Sequence, residues 1–213
     1  TAGNYAVTLS GTTSAANANT IIGDTDGVVT ATVTATGTVS ALNAALSNAG
    51  SNNDALTLVL DATTASAVDL NTLDGKTSVA INAGTITTIT SSSAAAVNTM
   101  VTNIAAIGLD SNWDVTLSDT TLTAAEVKTI NAGTSGTIDM SLATTITSSS
   151  TSDVLEIVNN TGATFATAIN YAVTLSDTSA AAADIKVIND DNGNGVIDIS
   201  LATTITSSST SDV

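Results

Sequence analysis

The sequence predicts an α/β repeat solenoid, in which about eight coils of strand, polar turn and short helix build a parallel sheet. Three observations predict this fold class. The fourteen residues SLATTITSSSTSDV stand at 141–154 and again at 200–213. Other phrases recur with a similar spacing along the whole chain. Each repeat unit also divides into two similar halves, so one unit corresponds to two coils.

The repeat units are marked by one phrase at the start of a strand. It reads NYAVTLS from Asn4 and from Asn170, NWDVTLS from Asn112, and LTLVLD from Leu56. The four repeat units that follow from these starts are 1–54, 55–111, 112–169 and the shortened 170–213. We expect all four to form one continuous solenoid.

The coils are marked by the central apolar residue of each β-branched run. These residues are Leu9, Val33, Val59, Ile89, Leu117, Ile146, Leu175 and Ile205. They are about 24 to 30 residues apart, which is near the upper limit for leucine-rich repeats. Each coil therefore has room for a strand, a short helix and the return of the chain.

One coil shows why each element is expected. Val115–Ser118 alternates apolar and polar residues, which is typical of a strand. Thr123–Glu126 has the capping-box pattern that predicts a helix start, and Val127 and Ile130 then lie on one face. Asn131–Gly133 ends the helix. The return to a strand of the same direction requires a right-handed crossover. The alternative is an all-β solenoid, in which these helices are turns.

The composition favours regular layers and excludes several kinds of function. Hydrophobic residues make up 43% of the 213 residues and aromatic residues only 2%, so small aliphatic side chains must build the core. The absence of cysteine and histidine removes disulfides, Cys and His nucleophiles and structural zinc. A net charge of −16 opposes nucleic-acid binding and attracts divalent cations. We expect no catalysis, because no carboxylate is paired with a base.

A calcium site is predicted in the segment DDNGNGVID near the end of the chain. Oxygen ligands at Asp190, Asn192 and Asn194, with glycine at the sixth position, resemble the start of an EF-hand loop. Leu201 stands at the twelfth position in place of the bidentate carboxylate, and Asp198 at the ninth substitutes for it in part. The alternative is a plain turn rich in Gly, Asn and Asp.

Two other sets of aspartates occupy repeated positions. Asp24 and Asp26 lie in the corresponding turn of the first unit and are the remaining candidate calcium ligands. Asp61, Asp119 and Asp177 follow the strand of their unit at regular intervals. They either form a cation-binding row or accept backbone N–H groups in the turn before the helix.

Aromatic residues and threonines also recur at fixed positions. Tyr5, Trp113 and Tyr171 share one position, which favours packing at the start of a strand over a row of sugar-binding rings. The runs 29–40 and 85–93 place threonine at every second residue. They resemble the threonine arrays of ice-binding β-solenoids, and the alternative is ordinary half-buried strands.

The phrases VTLSDTTLTAAEVKTINAGTSGTIDMSLATTIT and DLNTLDGKTSVAINAGTITTIT resemble the repeat tracts of very large secreted surface proteins of bacteria, notably cyanobacteria. Surface-layer and RTX-like adhesin proteins share the low pI, the lack of cysteine and the richness in Thr, Ala and Ser. No GGxGxDxxx run of the RTX type is present. The resemblance implies an extracellular or cell-surface location and a structural or adhesive role, with Ca²⁺ as a stabiliser.

The leading functional interpretation is a structural segment of an extracellular filament, surface layer or adhesin stalk. Its partners would be neighbouring repeats or copies of itself, without nucleic acid and without membrane insertion, since no run of about 18 apolar residues occurs. Because residue 1 is Thr and neither end looks like a polar cap, we expect the array to continue in both directions. The alternative is a binding module, either a phage or cell-surface fibre that recognises carbohydrate or an ice-binding solenoid.

Overall fold

The computed structural model describes residues 3–159, 164–168 and 170–207. In this part of the chain eight helices alternate with short strands, and the strands pair in parallel. The predicted α/β class is therefore confirmed, and the helices exclude the all-β alternative. The chain divides into two compact units, one of residues 1–90 with 99–113 and the other of residues 91–98 with 114–213.

The first unit has strands in two sets. Its elements in chain order are β1 (Val7–Ser14), α1 (Ala15–Asp24), β2 (Val29–Ala35), α2 (Val39–Ala45), β3 (Ala55–Leu60), β4 (Thr64–Ser66) and α3 (Ala67–Asp74). The chain continues through β5 (Thr88–Ser92) and α4 (Ala94–Thr102), whose residues are divided between the units, to α5 (Ile104–Ile107). β2 pairs with β1 on one side and with β3 on the other, and β4 pairs with β5.

The second unit continues the alternation of strands and helices. Its elements are β6 (Asp114–Leu117), β7 (Thr121–Leu122), α6 (Ala124–Asn131), β8 (Thr137–Met140), β9 (Thr145–Ser149), α7 (Thr151–Val158), β10 (Thr164–Thr167), β11 (Ala172–Leu175), β12 (Ser179–Ala181), α8 (Ala182–Asp191), β13 (Ile197–Asp198) and β14 (Thr204–Thr206). Three rows of parallel strands result: β6–β8–β10, β7–β9–β11–β13 and β12–β14.

Several coils contain two strands where the sequence predicts one. In the coil that starts with β6, the predicted polar turn includes β7, whose Leu122 is buried and lies opposite Ile146 of β9. In the next coil β8 precedes β9, although the sequence analysis assigns only the second of them. The prediction fails because two to four residues are enough for a strand when a neighbouring coil supplies the partner.

Serine and threonine side chains set the helix starts. The residues whose side chains cap a helix in this way are Ser14, Thr38, Ser66, Thr123 and Ser150. The predicted capping box is present at α6, because Thr123 Oγ1 accepts from the amide of Glu126 and the Glu126 carboxylate accepts from the amide of Thr123. The polar turns of the sequence are therefore helix caps as well as turns.

The core lies between the inward faces of the strands and the helices. In β2 the residues alternate strictly between buried and exposed, with valine and alanine inside and threonine outside. In α6 the predicted face of Val127 and Ile130 is fully buried. Within each unit, helices of successive coils also pack against each other, as α2 does on α3 and α6 on α7. Small aliphatic side chains permit this close layering.

Candidate functional site

Aspartates that follow a strand hold the start of the helix in the preceding coil. Asp119 Oδ2 accepts a hydrogen bond from the amide of Ala94, the first residue of α4, at 2.7 Å. In the first unit, Asp61 Oδ1 accepts from the amide of Gly37, just before the N-cap residue of α2, at 3.0 Å. The first amides of a helix have no partner within the helix, so these carboxylates satisfy groups that would otherwise need water.

The third aspartate of the set makes two such bonds. Asp177 Oδ2 accepts from the amide and from the hydroxyl of Thr151, the first residue of α7, with 2.7 Å to the hydroxyl. The prediction that these aspartates accept backbone N–H groups is therefore confirmed. Their donors, however, lie 24 to 26 residues earlier, in another coil and not in the same turn.

A buried serine performs the same task at α6. Ser149 is almost completely buried, and its Oγ accepts from the amide of Ala124, the first residue of α6, at 2.8 Å. The donor lies one coil before the acceptor, as in the aspartate pairs. Sequence reasoning missed Ser149 because it lies inside a serine run, in which no single residue stands out.

A second set of buried polar side chains closes the turn that precedes a strand. These residues, which sequence reasoning also missed, are Thr25, Thr77, Thr134 and Asn192. Thr25 is 1% exposed, and its Oγ1 donates to the carbonyl of Gly3 and accepts from the amides of Tyr5 and Gly27. The hydroxyl thus joins the turn to the backbone of the previous coil. The only signal in the sequence is a small polar residue that recurs two or three positions before the strand.

Thr77 and Asn192 make the equivalent bonds elsewhere in the chain. Thr77 Oγ1 lies 2.9 Å from both the amide and the carbonyl of Leu56. The Asn192 amide donates to the carbonyls of Tyr171 at 3.3 Å and Gly195 at 2.9 Å. Each side chain therefore replaces a strand-to-strand hydrogen bond where the turn interrupts the sheet.

Two glycines lie against the same backbone position as these polar residues. A Cβ on Gly195 would come within 1.9 Å of the carbonyl oxygen of Tyr171, and one on Gly27 within 2.4 Å of the carbonyl oxygen of Tyr5. The turn can pass so close to the preceding coil only without a side chain. These positions are therefore glycine for steric reasons.

The repeated aromatic position is buried inside the chain and exposed at its first coil. Trp113 is fully buried and Tyr171 is 1% exposed, which confirms their predicted packing role, whereas Tyr5 is 54% exposed. The Tyr171 hydroxyl donates to Asp191 Oδ2 at 2.5 Å. Burial, and then the hydrogen bond and negative charge of Asp191, raise the pKa of Tyr171 far above its ordinary value.

The predicted calcium ligands of the last turn have partners within the protein. Asp190 Oδ2 forms an ion pair with Lys186 Nζ at 2.7 Å. Asn192 is buried in the contacts described above. The Asp198 carboxylate accepts from the amide of Ser200 at 2.9 Å, and this hydrogen bond lowers the pKa of Asp198. These contacts are those of a turn that stabilises itself.

The other predicted ligands contribute mainly through their backbone. The amide of Asn194 donates to Asn170 Oδ1 at 2.9 Å. Asp24 and Asp26 have exposed side chains, and the amide of Asp26 donates to the carbonyl of Gly3 at 3.0 Å. Within residues 3–159, 164–168 and 170–207, no group of three Asp, Glu, His or Cys residues has the geometry of a metal site.

Two of the lysines connect neighbouring coils. Lys76 Nζ donates to the carbonyl of Leu46, the C-cap residue of α2, at 2.9 Å, where a cation is favourable. Lys128 on α6 pairs with Asp153 on α7 at 2.7 Å and lies 3.6 Å from Glu156. Hydrogen bonds from Lys128 and Ser150 lower the pKa of Asp153. These cations also neutralise part of a strongly acidic surface.

Comparison with protein-family models, with curated proteins and with solved structures gives no match to this chain. No helix in the described part of the chain is both long and apolar enough to cross a membrane.

Proposed function

We propose that this chain is a structural repeat segment, an α/β solenoid that serves in an extracellular filament, a surface layer or an adhesin stalk. One observation carries this proposal: side chains of one coil cap the helix of the coil before it. Asp119 caps α4, Ser149 caps α6 and Asp177 caps α7. Each coil thereby completes the hydrogen bonds of its neighbour, which is the property that a stack of repeats requires.

The use of the buried polar groups supports the same proposal. An active site gathers polar side chains around a cleft, where they face a substrate. Here Thr25, Thr77 and Asn192 are bonded to the backbone of the preceding coil. Their chemistry holds one coil on another, and the proposed activity is therefore length and rigidity.

Stacking also explains how such a segment can be extended. The stability of a repeat array is approximately the sum of its coils and of the contacts between adjacent coils. Each added coil contributes a rise of about 4.8 Å at sheet spacing and repeats the same contacts. Duplication of a two-coil unit, such as the one that contains SLATTITSSSTSDV, therefore adds length without a new kind of interface.

An in-phase deletion tests the solenoid. Removal of 112–169 joins residue 111 to Asn170, which opens the same phrase as Asn112. We expect the shortened protein to keep the circular dichroism per residue and to unfold cooperatively. Removal of 112–154 is the control, because it joins a strand start to the middle of α7 and should disrupt folding. Loss of structure in the in-phase variant would contradict the solenoid.

The cellular role is tested by immunogold labelling of intact cells that produce the protein, with an antibody raised against this chain. We expect label on the outer surface, in filaments or a continuous layer, before any permeabilisation. Label that appears only after permeabilisation would overturn the extracellular role. Permeabilised cells and cells that lack the gene are the controls.

One surface supports ice binding as a second candidate function. Thr12, Thr32 and Thr57 lie opposite one another on β1, β2 and β3, and all three are exposed. Thr8 and Thr30 form a shorter row beside them. Such rows are about 4.8 Å apart between strands and about 6.8 Å apart along a strand. A freezing-point hysteresis that disappears in the variant Thr32→Lys would support this function, and no hysteresis in the unmodified protein would exclude it.

A further inference from the structure

The last coil of the structure exposes residues that an interior coil buries. β14 contains Ile205, and the segment around it repeats the segment around Ile146 of β9 letter for letter. Ile146 is 1% exposed, whereas Ile205 is 43% exposed. The sequence is the same, so the difference must come from the neighbouring strand.

That neighbour is β11. It lies on the edge of β9 opposite to β7, with Val173 opposite Ile146 and Ala172 opposite Thr145. The amide of Ala172 donates to the carbonyl of Thr144 at 2.9 Å. β14, in contrast, pairs only with β12 in the described part of the chain. One edge of β14 therefore has unpaired backbone groups together with exposed apolar side chains.

The first coil has the complementary surface. Residues 4–10 read NYAVTLS, the same seven letters as 170–176, which begin β11. β1 pairs with β2 through Val7 and Val29, just as β11 pairs with β13 through Val173 and Ile197. The other edge of β1 is the edge that β11 uses to bind β9.

The side chains of the first coil show the same lack of a neighbour. Tyr5 is more than half exposed although its counterpart Tyr171 is buried. A groove of about 540 Å³ also opens between β1 and α1, and Leu9 and Ile21 are among its lining residues. The counterpart of Leu9 in β11, Leu175, is buried.

We propose that the first coil of one copy binds the last coil of a second copy, so that the chain associates head to tail. The contact would reproduce the β9–β11 pairing, with Val7 opposite Ile205 and the amide of Ala6 on the carbonyl of Thr203. The binding surfaces on the two copies are different, so the association does not close on itself and forms open chains. This inference rests on the proposed solenoid and names its partner.

Two features of the contact set its expected strength. Gly11 stands where β11 is followed by Asp177, so the copy-to-copy contact lacks that carboxylate and should be weaker than an interior contact. Each copy has a net charge of −16, and the repulsion between copies is screened by salt. Association should therefore increase with both protein concentration and ionic strength.

Sedimentation velocity with single variants tests the contact. Ile205→Lys and Tyr5→Lys should each raise the apparent dissociation constant of the full chain at least about tenfold, because a charge would have to be buried. Val59→Lys is the matched control, because Val59 is equally exposed but lies on β3, away from both surfaces. It should associate as the unmodified chain does, and circular dichroism checks that all three variants fold.

Mixing the variants decides the geometry. Ile205→Lys keeps an intact first coil and Tyr5→Lys an intact last coil, so an equimolar mixture should form one-to-one dimers and nothing larger. A chain that is monomeric at millimolar concentration and at 1 M salt, about 3 Å of screening length, would overturn the inference. A dimer that is lost in Ile205→Lys but not in Tyr5→Lys would also overturn it, in favour of symmetric pairing. Neither outcome affects the deletion test of the solenoid.

Discussion

Asp119 and Ala94 are separated by 25 residues, and the aspartate carboxylate binds the first amide of α4 at 2.7 Å. In an isolated helix this position is filled by a residue next to the helix in sequence. Here a side chain of the following coil fills it. One coil is therefore needed to complete the helix of another, and this dependence gives the first prediction.

We expect Asp119→Ala to lower the free energy of unfolding by about 1–2 kcal/mol, the usual effect of removing a helix-capping side chain. Urea unfolding followed by circular dichroism measures the change. Asp26→Ala removes the same charge from an exposed position and should change the free energy by less than about 0.5 kcal/mol. Equal effects of the two substitutions would mean that general charge repulsion, and not the cap, governs stability.

Thr25→Val should be more damaging than its shape suggests. Valine has the volume of threonine, but the change leaves the backbone groups of Gly3, Tyr5 and Gly27 without the hydroxyl that they share. Buried groups without partners cost about 1–3 kcal/mol. Thr30→Val is the control, because Thr30 points outward from β2 and valine is a good strand residue. Thermal unfolding that shifts equally in both variants would refute the role of the Thr25 hydroxyl.

Gly195→Ala should destabilise the chain by about 2 kcal/mol or more, because the new methyl group would overlap the carbonyl oxygen of Tyr171. Gly75→Ala is the comparison. Gly75 has ordinary helical angles, and a Cβ there meets its nearest atom at 3.5 Å. Chemical unfolding should leave Gly75→Ala unchanged or slightly stabilised. A neutral Gly195→Ala would mean that the turn can move away from Tyr171.

Alkaline pH should reveal the burial of Tyr171. Its pKa is raised in the folded chain by burial and by Asp191, so the stabilisation is present below the ordinary tyrosine pKa of about 10 and is lost as pH rises above it. In Tyr5→Phe, which keeps only Tyr171, the tyrosinate absorbance at 295 nm should rise only when the far-ultraviolet signal of folding is lost. Tyr171→Phe should show tyrosinate before unfolding. Early titration in Tyr5→Phe would contradict the buried environment.

Calcium binding by the turn at Asp190 stays a prediction and is tested by competition. Lys186 holds the Asp190 carboxylate, so Lys186→Ala should strengthen Ca²⁺ binding by removing the competing cation. Isothermal titration with CaCl₂ measures the affinity, and Asp190→Asn is the control that should weaken it. Absence of heat and of any thermal shift in both the unmodified chain and Lys186→Ala would leave a plain turn.

The repeat and its local elements could be predicted because their causes are local. The capping box at Thr123 and the buried face of Val127 and Ile130 follow from residues within one turn of a helix. The division of each coil into two strands could not be predicted, because a strand as short as β7 exists only beside β9. A dipeptide such as Thr121–Leu122 has no pattern that would mark it.

The candidate site was predictable in part. The spacing of Asp61, Asp119 and Asp177 indicated a shared role, and backbone acceptance was one of its two interpretations. The donors could not be named, since they lie in another coil. Ser149 and Thr25 were not found at all, because a buried hydroxyl and an exposed one look the same in a chain rich in serine and threonine.

The sequence by itself determined the α/β class, the phase of the repeat and the helix starts, because each depends on residues a few positions apart. Only the tertiary structure decided which groups meet between coils and which copies of a phrase are buried. The heptapeptide NYAVTLS shows the difference: its tyrosine is exposed at Tyr5 and buried at Tyr171. Identical letters have different surroundings because burial in a stack depends on the neighbouring coil.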